Sequence, residues 1–149
     1  MKNEKLWRLS LPALTASACV FETMPGSVRE FAADVVTTPE AAYNFFTLQS
    51  QHRAAMCMPL AGGLTLIALG FALAAAFFKK RTAVKMVCWL ALVAAALTAM
   101  PYVLVTEGVT LQPNVIVTLI LFAVWLIAWM LDRKSEPAEE KREKKAKRL

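Results

Sequence analysis

Few side chains in this chain combine useful chemistry with suggestive surroundings. Glu22 is the first: it stands near the end of an otherwise apolar stretch. An acidic residue carried into a membrane marks an ion or proton path by default. Pro25 follows closely, however, and its helix-stopping character predicts that Glu22 sits at the hydrated membrane surface. His52 and Arg53 shortly precede the second apolar stretch, where Glu22 or Asp34 would be their ionic partners. A lone loop histidine is most often an ordinary surface residue. The three cysteines, Cys19, Cys57 and Cys88, form no Cys-x-x-Cys pair, so thiol-relay chemistry is unsupported. Cys19 falls about 7–8 Å inside its span by helix rise. Cys57 falls at the rim. A disulfide needs Cα atoms within about 7 Å, which disfavours a Cys19–Cys57 bridge. No catalytic, cofactor or metal-ligand motif is present. The sequence therefore predicts a non-enzyme without a cofactor, with Glu22, His52 and Arg53 as its speculative functional residues.

The elements that must position these residues are membrane spans. Ala54–Phe78, Met86–Thr106 and Gly108–Leu131 carry no charge and are almost wholly apolar. Each exceeds or matches the run of about 20 residues that crosses a bilayer core. The chain is 149 residues long and 58% hydrophobic, more than a water-soluble domain can bury. All but Arg29 and Arg53 of the 17 basic residues cluster near the N-terminus, between the second and third spans, or after Leu131. The positive-inside rule then places both termini in the cytoplasm and requires an even number of spans. Trp7, Trp89, Trp125 and Trp129 fall near the same inner interface, where indole rings settle.

The fourth span is the first in sequence. Only a short uncharged run separates Arg8 from Glu22, so a spanning helix must cover about residues 6–24, with Arg8 snorkelling inward. Pro12 would kink it. The competing reading is a signal peptide, given the basic start and the small-x-small pattern Ala16-Ser17-Ala18. Glu4 is foreign to such a start, and the uncleaved span is the expectation.

The expected architecture is an all-α membrane protein, a four-transmembrane-helix bundle. Its spans cover about 6–24, 58–78, 86–105 and 112–131. A structured outer loop covers 25–57 and a charged cytoplasmic tail 132–149. Within the loop, Ser27–Phe31 and Asp34–Thr37 suggest a hairpin. Thr38-Pro39 suggests the start of a short helix over Ala41–Leu48 that caps the bundle. In lipid, small residues let backbones approach. Gly63 and Gly70 in the second span and Ala91, Ala95 and Ala99 in the third are the expected helix-packing seam. The tail pairs Glu140 with Lys144 and Glu143 with Lys147 at helical spacing. Its basic charge lacks interleaved aromatics, so no nucleic acid is expected.

Glu22-Thr-Met-Pro25-Gly-Ser27-Val28, followed by Tyr43-Asn-Phe45-Phe46-Thr-Leu48, resembles small bacterial four-span membrane proteins that are uncharacterised. The likeness covers spans one and two and their loop and implies the plasma membrane but no activity. Small multidrug transporters differ, carrying their glutamate deep in span one. Claudin-like proteins differ too, with a tryptophan and paired cysteines in the first loop. The leading expectation is a non-enzymatic accessory or interaction component in contact with the lipid bilayer, another membrane protein or itself. The alternative is a small transporter or channel subunit using Glu22 and the outer loop.

Overall fold

The computed structural model describes residues 2–32, 41–46, 56–103 and 109–146. Four helices dominate: α1 (Lys2–Thr23), α2 (Cys57–Phe78), α3 (Arg81–Val103) and α4 (Val115–Ala146). Three of them contain segments long and apolar enough to cross a membrane: Cys57–Phe78, Arg81–Pro101 and Val115–Ser135. The protein is therefore a helical, multi-pass membrane protein. Around the bundle, α1 packs against α2 and α4, and α3 packs against the same two.

Each helix buries one stripe at alternating spacings of three and four. In α1 it runs Leu11, Thr15, Ala18 and Glu22. In α2 it is Met58, Ala61, Thr65, Ala68, Ala72 and Ala75. In α3 it is Val84, Val87, Ala91, Ala94 and Thr98, and in α4 Val117, Leu121, Val124, Ala128 and Leu131. Such spacing is the seam pattern of helix bundles. Small residues dominate the inside, while large ones such as Leu66, Phe77, Trp89, Leu119 and Phe122 point outward. That inversion suits lipid, which solvates bulky apolar side chains and leaves close backbone packing to hold helices together.

The seam differs in part from the one expected. Ala91 and Ala95 are buried in it, and Ala99 is half-buried. Gly63 and Gly70 are not in it: a Cβ added at either would meet open space. The glycine in close contact is Gly62, where an added Cβ would lie 2.6 Å from Cζ of Phe46. Spacing by seven placed Gly63 and Gly70 on one face, but α2's alanines and Thr65 turn another face inward.

At one end a small sheet closes the bundle. Its strands are β1 (Val28–Ala32), β2 (Ala41–Tyr43) and β3 (Val109–Pro113), in the order β2-β1-β3 with both pairings antiparallel. The expected first strand is present. The short helix expected to begin at Ala41 is replaced there by β2 and a turn. Asn44 Oδ1 accepts the Phe46 N–H at 2.9 Å, an Asx turn that competes with helix. The fourth span also begins later than residue 112, because Gln112 and Pro113 close β3. Asn114 then caps α4: its Oδ1 accepts the Ile116 N–H at 3.0 Å. Asp34–Thr37 and Thr38-Pro39 lie outside the described residues.

The opposite end is made of charge. Phe78 passes to Arg81 through Lys79 and Lys80, with Lys79 in the left-handed region at φ 53°. Arg81 Nε donates to Asp132 Oδ1 at 2.8 Å and ties α3 to α4. The helix of the tail is continuous with α4 as far as Ala146.

Candidate functional site

Glu22 sits in the last turn of α1, and its surroundings follow from how that helix ends. Met24-Pro25-Gly26 turns the chain back, with Gly26 at φ 84°, a conformation glycine adopts without cost. The reversal lays β1 across the bundle end. The last carbonyls of a helix need outside donors. Here the Phe45 N–H donates to the Glu22 carbonyl at 3.0 Å, and Ser27 Oγ donates to it at 3.1 Å. The sheet is thus fastened to the end of α1 by the backbone of Glu22 itself.

The side chain of Glu22 is fully buried. This corrects the expectation of a hydrated surface residue. Pro25 does end the helix, but the sheet then covers it. Val28, Phe45 and Met58, all fully buried, join Ala18 and Ala61 in the core cluster at this end. Glu22 Oε1 lies 2.8 Å from Thr65 Oγ1 of α2. Thr65 Oγ1 also lies 2.9 Å from its own Ala61 carbonyl. A hydroxyl has one proton. When Thr65 donates to the carboxylate, the Ala61 contact is forgone. When it donates to Ala61, Glu22 must itself supply the proton of the shared contact. The pair accommodates either protonation state by rotation of one hydroxyl. The second carboxyl oxygen, Oε2, is buried without a hydrogen-bond partner among the described residues. Such a group is costly unless another ligand meets it.

A second polar pair crosses the bundle between α3 and α4. Thr118 Oγ1 and Thr98 Oγ1 are 2.9 Å apart, and Thr98 also reaches the Ala95 carbonyl at 2.8 Å. Thr15 is buried and bonds back to the Leu11 carbonyl. Thr15 and Thr98 satisfy their hydroxyls within their own helices, so their burial costs little. The carboxyl of Glu22 has no such local option.

Of the residues singled out in sequence, His52 and Arg53 lie outside the described residues. Cys19, Cys57 and Cys88 are all free thiols. Cys57 Sγ approaches Met100 Sδ at 3.8 Å, a soft contact between α2 and α3. Among the described residues no three His, Cys, Asp or Glu side chains gather closely enough to hold a metal ion.

Sequence reasoning missed a polar notch on the sheet. Arg29 of β1 stands opposite Gln112 of β3, and both are exposed. With Gly26, Asn114 and Val115 they line a cleft of about 320 Å³. The signal lay in Arg29, one of two basic residues outside the basic clusters, but its neighbour comes from a strand more than seventy residues away.

The fold and site define a multi-pass helical membrane protein with a sheet-capped bundle. Comparison with family models, curated proteins and solved structures finds no match.

Proposed function

We propose that this protein spans the plasma membrane four times with both termini in the cytoplasm. Its role is that of a non-enzymatic accessory or interaction component that presents the sheet to a partner outside. The observation that carries this reading is the sheet itself. It draws strands from both outer connections, and backbone bonds join them, Asn114 N–H to the Ser27 carbonyl at 2.7 Å included. Two otherwise independent links become one surface, held on a bundle whose inward stripes are closely packed. Among the described residues it exposes the polar Arg29–Gln112 notch, suited to a carboxylate-bearing partner.

The test is purification of the full chain in mild detergent, wild type against Arg29→Glu. A stoichiometric membrane-protein partner retained by the wild type and lost by the variant supports the reading. Retention by both removes the notch from it. Topology is checked separately: in a cysteine-free background, a probe at Ser50 should label from outside and one at Ser135 should not.

Glu22 favours a second reading, a small transporter or channel subunit. A buried carboxyl with one oxygen unpartnered among the described residues is a binding position for a proton or a small cation. Proteoliposomes of the purified chain that pass ions, and cease to do so in Glu22→Gln, would place transport first.

A further inference from the structure

At the charged end, a cleft of about 380 Å³ opens between α3 and α4. Its lining includes Lys85, Trp89 and Leu92 from α3 and Trp125, Trp129 and Asp132 from α4. Three of the four tryptophans of the chain therefore share one cleft. Its chemistry changes along its length. Lys85 and Asp132 form the mouth; Leu92 and Trp125 form the inner part. From Lys85 to Leu92 the helix rises about 10 Å. The tryptophans form a stiff wall: Trp125 stacks on Trp129 with ring centroids 6.4 Å apart and touches Phe122 at 5.0 Å.

The charges of the mouth do not cancel. Asp132 is engaged by Arg81. The Arg133 guanidinium lies over the Trp129 ring, 4.3 Å from its centroid. Lys85 is exposed and has no ion-pair partner among the described residues. With Asp132 neutralised by Arg81, Lys85 leaves, among the described residues, a positive mouth on an apolar groove. A ligand complementary to both parts has an anionic head and a hydrocarbon chain.

We propose that this cleft binds one anionic phospholipid, its phosphate on Lys85 and an acyl chain along Trp125 and Leu92. The site rests on α3 and α4 spanning a membrane and is independent of the role given to the sheet. Indole rings favour the depth at which a phosphate passes into hydrocarbon, and a basic residue there attracts anionic lipid.

The cleft tryptophans report on their own occupant. The full chain carrying Trp7→Phe, which silences the remaining indole, is reconstituted in phosphatidylcholine vesicles. These contain brominated phosphatidylglycerol or, at equal mole fraction, brominated phosphatidylcholine. Bromine quenches indole fluorescence on contact, so stronger quenching by the anionic lipid is expected. Lys85→Gln should weaken that preference about fivefold, the equivalent of about 1 kcal/mol. Lys80→Gln, on the same basic end but outside the cleft lining, should leave it unchanged. Leu92→Phe should lower it by filling the groove without altering charge or adding an indole. Melting in detergent confirms that each variant is folded.

Equal quenching by the two lipids overturns the proposal. So does an equal loss in Lys80→Gln and Lys85→Gln, which would mean general surface attraction. Relief of quenching by millimolar inorganic phosphate would make it a phosphate site and not a lipid site. Absence of quenching by either lipid would mean that another protein surface, such as a second copy, covers the tryptophans.

Discussion

At the sheet end of the bundle, polar side chains bond chiefly to backbone. Ser27 bonds to the Glu22 carbonyl, Asn114 to the Ile116 N–H and Asn44 to the Phe46 N–H. At the lysine end, side chains meet side chains: Arg81 with Asp132, Arg133 with Trp129 and Arg8 with Glu4. Backbone partners are fixed by the fold and survive changes of salt. Ion pairs near the membrane surface are screened by salt, the half-buried Arg81–Asp132 pair less than the others. The sheet end is therefore a lid closed over Glu22, and the lysine end is an adjustable rim open to lipid and ions. Substitutions at the two ends should differ in size accordingly.

The largest effect is expected from Phe45→Ala. Phe45 is the largest fully buried side chain among the described residues, and its own backbone N–H holds the end of α1. Truncating a buried phenylalanine costs about 3–5 kcal/mol. Denaturation in detergent should show that loss. Carbodiimide labelling of Glu22, absent in the wild type, should appear in the variant. A stable variant with Glu22 still protected would mean that the lid does not depend on this side chain.

Next comes a pair on α2. Gly62→Leu drives a side chain into Phe46, and overpacking costs about 1–3 kcal/mol. Phe46 is partly exposed and can swing aside, which favours the lower part of that range. Gly70→Leu enters open space and gains up to about 1 kcal/mol of helix propensity. The two should shift the melting temperature in opposite directions. If both destabilise, the face bearing Gly70 is covered by protein.

These positions show what the sequence made legible. Three spans, the positive rim and the tryptophan belt were readable because lipid imposes length and composition directly. The inward face of α2 was not. Gly63 and Gly70 invite a small-residue seam, yet Ala61, Thr65, Ala68 and Ala72 offer an equally small face, and composition alone does not choose between them. The burial of Glu22 was hidden for another reason. It depends on β1 folding back over α1 and on Phe45 arriving from β2's end. The third strand comes from the connection before α4, and pairing across such a separation leaves no local signature.

Asn114→Ala tests the sheet end more gently. It removes the cap of α4 while leaving the backbone bond from Asn114 N–H to the Ser27 carbonyl in place. A lost cap of this kind costs about 1 kcal/mol. Amide hydrogen exchange should speed up in the first turn of α4 and leave α1 unchanged. Exchange spreading into β1 and the end of α1 would show that the lid and the cap open together.

The smallest effect is expected at the lysine end, from Lys79→Gly. Lys79 occupies the left-handed region at φ 53°, where a side chain meets its own carbonyl and costs about 1–2 kcal/mol. It follows the last residue of α2, the position at which helices most often end in glycine. Glycine removes the clash but has more freedom to lose on folding, which offsets about 0.5–1 kcal/mol of the gain. The net expectation is a stabilisation of several tenths of a kcal/mol, seen as a small rise in melting temperature. Lys79 lies outside the Trp89–Trp125 cleft, so quenching by anionic lipid should not change. A destabilised Lys79→Gly would mean that its ammonium makes a contact that outweighs the strained backbone. The lysine end would then be held by a fixed interaction, and its contrast with the sheet end would narrow.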